Sequence, residues 1–143
     1  MIRCRWTIAC HHAVVDTYTN NVSLLQIIDQ ITVKRLLERG EAIALPFELM
    51  TIWERGKEGE SEAAVIRFVL ESPDGNELGS TEVPVDLTQH QRSRARLMVA
   101  GLPFHGYGRY RLRVDLREDG DWVAVGGTDL DIVDGTAQTT PGL

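Results

Sequence analysis

Apolar and polar positions alternate with a period of two along most of this chain, the spacing of strands with one covered face. Ile2, Cys4, Trp6, Ile8 and Cys10 share one phase, against Arg3, Arg5, Thr7 and Ala9. A polar stretch from Asp16 to Asn21 reads as a turn. Val22 to Ile28 is almost continuously apolar and predicts a strand covered on both faces or at a sheet centre. Residues 33–40 have a short helical look stopped by Gly40. Residues 43–53 put Ile43, Leu45, Phe47, Leu49 and Trp53 on one face. Pro46 removes a ladder donor, which predicts an edge or bulged strand.

The second half is clearer. Residues 56–60 form a polar loop, and Ala64, Ile66, Phe68 and Leu70 then point inward. Ser72-Pro73-Asp74-Gly75 is a strong turn, since Pro presets φ and Gly accepts a positive one. A short strand over 77–83 precedes Pro84, polar residues 86–93 cross between sheets, and Ala95, Leu97 and Val99 mark the next strand. Over 108–117, Tyr110, Leu112, Val114 and Leu116 alternate with Arg109, Arg111, Arg113, Asp115 and Arg117. Asp119-Gly120 signals a hairpin. On the return, the apolar phase changes at Gly126-Gly127, which predicts a β-bulge. The sum is an all-β, two-sheet antiparallel sandwich of about eight short strands, since a single sheet would leave an apolar face wet. It forms one domain over residues 1–133, followed by a flexible Thr-, Gly- and Pro-rich tail over 134–143.

The segment from Phe104 to Val114, with its Gly108-x-Tyr110 opening, resembles the late strand of immunoglobulin-like and C2-like sandwiches. Together with Asn21 to Asp29 and Ser72-Pro73-Asp74-Gly75, it is similar to an uncharacterised bacterial family of sandwich proteins, in order over most of residues 10–133. The departure is Gln26, where the resemblance implies Gly or another small residue. The resemblance implies the fold and carries no activity.

The 143 residues hold 21 acids and 15 Lys and Arg, a net charge of −6. Whole-chain charge therefore disfavours a generic nucleic-acid binder. No apolar run of about 18 residues predicts a membrane helix. Met1 to Trp6 does not open a secretory signal. Cys4 and Cys10 on one strand stand roughly 20 Å apart at about 3.3 Å per residue, too far for a bridge. Reduced thiols suit the cytoplasm.

Charge is unevenly spread. Residues 92–117 hold seven arginines and one acid, Asp115, a local charge of +6 that leaves −12 for the rest. If the two strands concerned pair, Arg94, Arg96, Arg109, Arg111 and Arg113 fall on one outward face able to grip carboxylate or phosphate. The competing expectation is cross-strand pairing with Glu118, Asp129 and Asp131. Cys10, His12 and Asp16 are the weak candidates for a metal or catalytic centre. Neighbouring strand residues point to opposite faces, and no ligand spacing supports the trio. Trp6 and Trp53 read as core and Trp122 as half exposed. No nucleophile elbow, phosphate loop or dinucleotide fingerprint occurs, and no cofactor is expected. The expectation is a non-catalytic binding or assembly module, working through sheet edges or the arginine face on an acidic protein partner or a second copy. The rivals are a metal protein or enzyme at Cys10, and a binder of nucleic acid or a phosphorylated ligand.

Overall fold

A computed structural model of the chain describes residues 1–57 and 61–136. The middle of the polar loop, 58–60, and residues 137–143 of the expected tail lie outside the described residues. The chain is all-β, with eleven strands among the described residues and no helix. They are β1 (Arg3–Val15), β2 (Val22–Ile27), β3 (Gln30–Val33), β4 (Ala42–Ile43), β5 (Phe47–Glu54), β6 (Glu62–Glu71), β7 (Glu77–Leu87), β8 (Arg92–Val99), β9 (Leu102–Pro103), β10 (Gly108–Glu118) and β11 (Asp121–Asp134).

A four-stranded sheet has the order β2-β1-β5-β8, and a five-stranded sheet the order β3-β11-β10-β6-β7. The ribbon β4-β9 stands apart, with Ile43, Leu102 and Phe104 buried in the core. The two sheets enclose one core. Phe47, Leu49, Trp53 and Ala95 come from the first; Ile66, Phe68, Tyr110, Leu112, Val114, Leu130 and Ile132 come from the second. The pairing is not wholly antiparallel, because β3 runs parallel to β11.

Several sequence expectations need correction. Residues 33–40 form no helix; a single turn between two strands has too few hydrogen bonds to hold itself. Pro46 falls between β4 and β5 rather than inside a strand, and β5 lies within its sheet. Pro84 lies inside β7, which runs on to Leu87; an edge strand can spare that donor. β2 is an edge strand, and its Leu25 and Ile27 are exposed.

Two local devices shape the sandwich. The Asp119-Gly120 turn has φ of 49° and 85° at its two residues, the left-handed pair of a tight hairpin. In β11 the register passes from Val114↔Gly126 to Asp115↔Ala124, so Val125 is the extra residue of a bulge one residue before the expected Gly126-Gly127. Tyr110 pins the loop before β10: its hydroxyl donates to the Gly106 carbonyl at 2.7 Å and accepts from the His105 amide at 2.6 Å.

Gln26 sits at φ 53°, a left-handed conformation that costs a side chain roughly 1–2 kcal/mol. This is the position where the resemblance implied a small residue. Gln26→Gly is expected to stabilise the protein by roughly 0.5–1 kcal/mol, after the entropic cost of glycine. Thermal denaturation checks this; a lower midpoint would mean that the glutamine side chain contributes more than its backbone costs.

Candidate functional site

The site begins with a bulge that sequence periodicity does not reveal. β1 pairs with β5 as Cys4↔Trp53 and then Trp6↔Ile52, which leaves Arg5 as the extra residue. The bulge inverts the phase of the strand. Cys4 and Ala9 pack in the core between the sheets, while Trp6 and Cys10 belong to a second apolar cluster. That cluster joins Cys10, Ala13 and Met50, with Trp6, Val22 and Leu24 packed against it. The second half of β1 and its partner β2 thus fold as a hairpin over the outer face of β5.

A buried carboxylate fastens the hairpin. Glu48 is 1% exposed although it faces away from the main core. It accepts the Ala13 amide at 2.7 Å from the hairpin and pairs with Arg96 on β8. Burial pushes its pKa up. The Arg96 bond, the Ala13 amide and the nearby charges of Arg96 and His12 outweigh that and hold it below the usual carboxylate range. Arg94 fastens the turn: its guanidinium donates to the carbonyl oxygen and the side-chain oxygen of Asn20.

Between hairpin and β8 lies a pocket of about 570 Å³, lined by Arg5, Trp6, Asn20, Ile52, His90, Arg92, Ser93 and Arg94. Its charge is out of balance. Glu54 alone faces three guanidinium groups, Arg3 at 2.9 Å, Arg5 at 3.6 Å and Arg92 at 3.8 Å. Arg94 brings a fourth, and its Nε is buried without a hydrogen-bond partner. A buried donor of this kind is uncommon, because leaving it unpaired costs about 1–3 kcal/mol. The pocket therefore presents surplus positive charge on a chain whose net charge is −6, while the Arg94 Nε is enclosed beside it.

The arginines singled out from the sequence do not share one face. β8 and β10 belong to different sheets, so Arg94 and Arg96 lie on one outer face and Arg109, Arg111 and Arg113 on the opposite one. On the β10 side, Arg109 pairs with Asp131 at 3.0 Å and lies 4.0 Å from Asp129. Arg113 pairs with Glu71 at 2.9 Å and Asp115 at 2.8 Å, and Asp115 also binds Arg67 at 2.7 Å. Arg67 and Arg117 stack on Trp122, with 4.6 and 5.4 Å from guanidinium to ring centroid. This face is largely occupied by its own cross-strand partners. Arg96 is held by Glu48, which leaves Arg94 as the sequence-selected residue that reaches the pocket.

Cys10, His12 and Asp16 do not gather. Among the described residues no three His, Cys, Asp or Glu side chains form a group able to hold a metal. The Asp16 carboxylate caps its own turn, accepting the Tyr18 and Thr19 amides at 2.8 and 3.1 Å. Burial, with the Glu48 charge beside it, pushes the Cys10 thiol up, the opposite of an activated nucleophile. Periodicity passed over Arg5, Trp6 and His90. Arg5 looked like an ordinary outward strand residue until the bulge placed it at the pocket.

No family model matches the chain, and no curated protein matches it. Among solved structures it is similar to a glycosyl hydrolase family 2 member from Bacteroides cellulosilyticus DSM 14838, with a TM-score of 0.54 and 8% identity, over 92% of this chain and 15% of that one. A second structure of such a member from Bacteroides cellulosilyticus gives 0.48 at 9% identity, over 68% of this chain and 12% of that one. An alkylpurine DNA glycosylase from Pseudomonas fluorescens, bound to DNA containing an abasic site analog, gives 0.45 at 12% identity, over 89% and 30%. The chain spans only a fraction of these proteins' lengths, and the first likeness is one of fold, a β-sandwich domain. Among the described residues no helix is long and apolar enough to cross a membrane.

Proposed function

We propose that this protein is a non-catalytic binding module that takes an acidic segment of a partner protein into the pocket on the outer face of the four-stranded sheet. The observation that carries this reading is the charge imbalance, with Arg5, Arg92 and Arg94 lining one pocket and the single carboxylate of Glu54 shared between Arg5 and Arg92. Guanidinium groups grip carboxylates in planar, often bidentate pairs. A protein ligand fits better than nucleic acid for two reasons. The chain is net acidic and at long range repels a densely charged nucleic acid more strongly than a short acidic segment. Trp6 is committed to the Cys10 and Met50 cluster instead of standing free as a base-stacking platform. The Tyr110 bonds and the all-β architecture support an immunoglobulin-like or C2-like character, while kinship with an uncharacterised bacterial family rests on the sequence resemblance alone. A reducing cytoplasm suits the free thiols of Cys4 and Cys10.

Fluorescence anisotropy with a labelled glutamate-rich peptide tests the reading. Arg92→Glu with Arg94→Glu is expected to weaken binding at least about tenfold. Arg109→Glu with Arg111→Glu is expected to change it little, and salt to weaken the wild-type complex. Equal loss in both double variants, no binding by the wild type, or tighter binding of single-stranded oligonucleotide would overturn the proposal.

A further inference from the structure

β8 is the outermost strand of its sheet, and among the described residues it pairs with β5 alone. The Arg55 amide donates to the Gln91 carbonyl at 3.1 Å, just beyond the β5-β8 register. Bonded pairs alternate in an antiparallel ladder. Ser93, Ala95 and Leu97 therefore turn their backbone groups to β5, while those of Arg92, Arg94 and Arg96 face the free edge. The side chains of the same three arginines stand on the outer face, at the pocket or beside it.

On the inner side of the same edge, the gap between the sheets is open. A cleft of about 280 Å³ lies there, lined among others by Phe68, Leu70, Leu78, Gly79, Leu97 and Val99. The edge strands β7 and β8 both contribute to its lining, together with Leu102 and Pro103 of β9. The free ladder runs along β8, with cationic side chains on its outer face from Arg92 to Arg96 and the apolar cleft on its inner face at Leu97 and Val99. An added strand would send alternate side chains to those two faces.

We infer that the acidic segment binds as an extra strand on the free edge of β8, its acidic residues on the arginines and its intervening apolar residues in the cleft. This rests on the reading of the pocket as a site for an acidic segment and specifies the occupant as an extended sequence alternating acidic and apolar residues. Main-chain bonds supply affinity and the two faces supply selectivity, as in other strand additions. The exposed charge of the arginines guards the same edge against pairing with uncharged strands.

The test uses the full chain and three probes: a peptide alternating glutamate and valine, as long as β8; an isomer with its glutamates grouped at one end; and alternating peptides N-methylated at every second residue, in either phase. The alternating peptide is expected to bind at least about tenfold tighter than the grouped one. N-methylation in one phase is expected to remove that advantage and in the other to leave it. Gly79→Trp is expected to abolish the preference by filling the cleft, because Gly79 lines it and a Cβ there meets no atom within 4 Å. Equal binding of both isomers, with N-methylation silent in both phases, would overturn strand addition while leaving the anion-binding pocket standing. No binding of either peptide would overturn both readings.

Discussion

Asp115→Ala is expected to lower stability by roughly 3 kcal/mol, the lower end of the range for breaking a buried ion pair from one side. The carboxylate is 2% exposed on the outer face of the five-stranded sheet. It binds Arg67 at 2.7 Å and Arg113 at 2.8 and 3.1 Å. Removing it leaves two guanidinium groups side by side, with Glu71 still on Arg113 at 2.9 Å. Both arginines keep some contact with water, which is why the lower end applies. Urea denaturation is expected to show a lower midpoint at unchanged slope. A variant combining Asp115→Leu with Arg67→Met and Arg113→Met is expected to recover much of the loss, since no charge is then left unpaired.

The same site fixes a pH dependence. Burial pushes the Asp115 carboxyl up, but the bonds and charges of Arg113 and Arg67 prevail and hold it below its ordinary range. A folded-state pKa below the unfolded value of about 3.9 gives a contribution fully present above that value. It is lost as pH falls through the folded pKa. The wild type is therefore expected to lose stability in that acid window more steeply than Asp115→Ala does.

Glu48→Ala is expected to cost roughly 2–3 kcal/mol, less than a fully enclosed pair because Arg96 is partly in water. Its effect is local. The Ala13 amide loses its acceptor, and the hairpin of β1 and β2 loses its tie to β8. Amide exchange is expected to quicken at Ala13 and along β2 while β10 and β11 stay protected. Uniform quickening would mean that the hairpin is part of the global unit. Glu48→Gln is expected to fall between, because an amide oxygen still accepts the Ala13 N–H but attracts Arg96 less. Acid again removes the wild-type contribution, as Glu48 too is held below the ordinary range. Glu48→Ala is also expected to weaken peptide binding, because the hairpin that Glu48 holds through Ala13 carries Asn20, the partner of Arg94.

Local chemistry was readable in the sequence wherever the determinant is local. Asp119-Gly120, Ser72 to Gly75 and the bulge near Gly126-Gly127 need particular backbone angles, and residue type reveals them. At Gly127, φ is 153° and an added Cβ would stand 2.7 Å from the Leu112 carbonyl oxygen. The alternation of Tyr110 to Leu116 against the arginines likewise gave the inner and outer faces of β10 correctly. Alternation says which way a side chain points but not which sheet its strand joins, so β8 and β10 seemed to carry one basic face. The Arg5 bulge carries no glycine to announce it, and periodicity put Trp6 and Cys10 in the wrong apolar cluster. Val22 to Ile28 looked covered on both sides because its apolar residues serve two ends, Val22 and Leu24 inward, Leu25 and Ile27 in water. The pocket was hidden because it draws on β1, the β1–β2 turn, β5 and β8, elements that meet only through long-range pairing.

The most direct measurement is a map of backbone amide chemical shifts as the alternating glutamate and valine peptide is titrated into the isotope-labelled protein. The expected result is a set of saturable shifts along Arg92 to Met98, at Asn20 and at Gly79, with Arg109 to Arg117 unmoved. Shifts centred on Arg109 to Arg117, or none at all, would contradict the placement of an anion-binding site on the outer face beside β8.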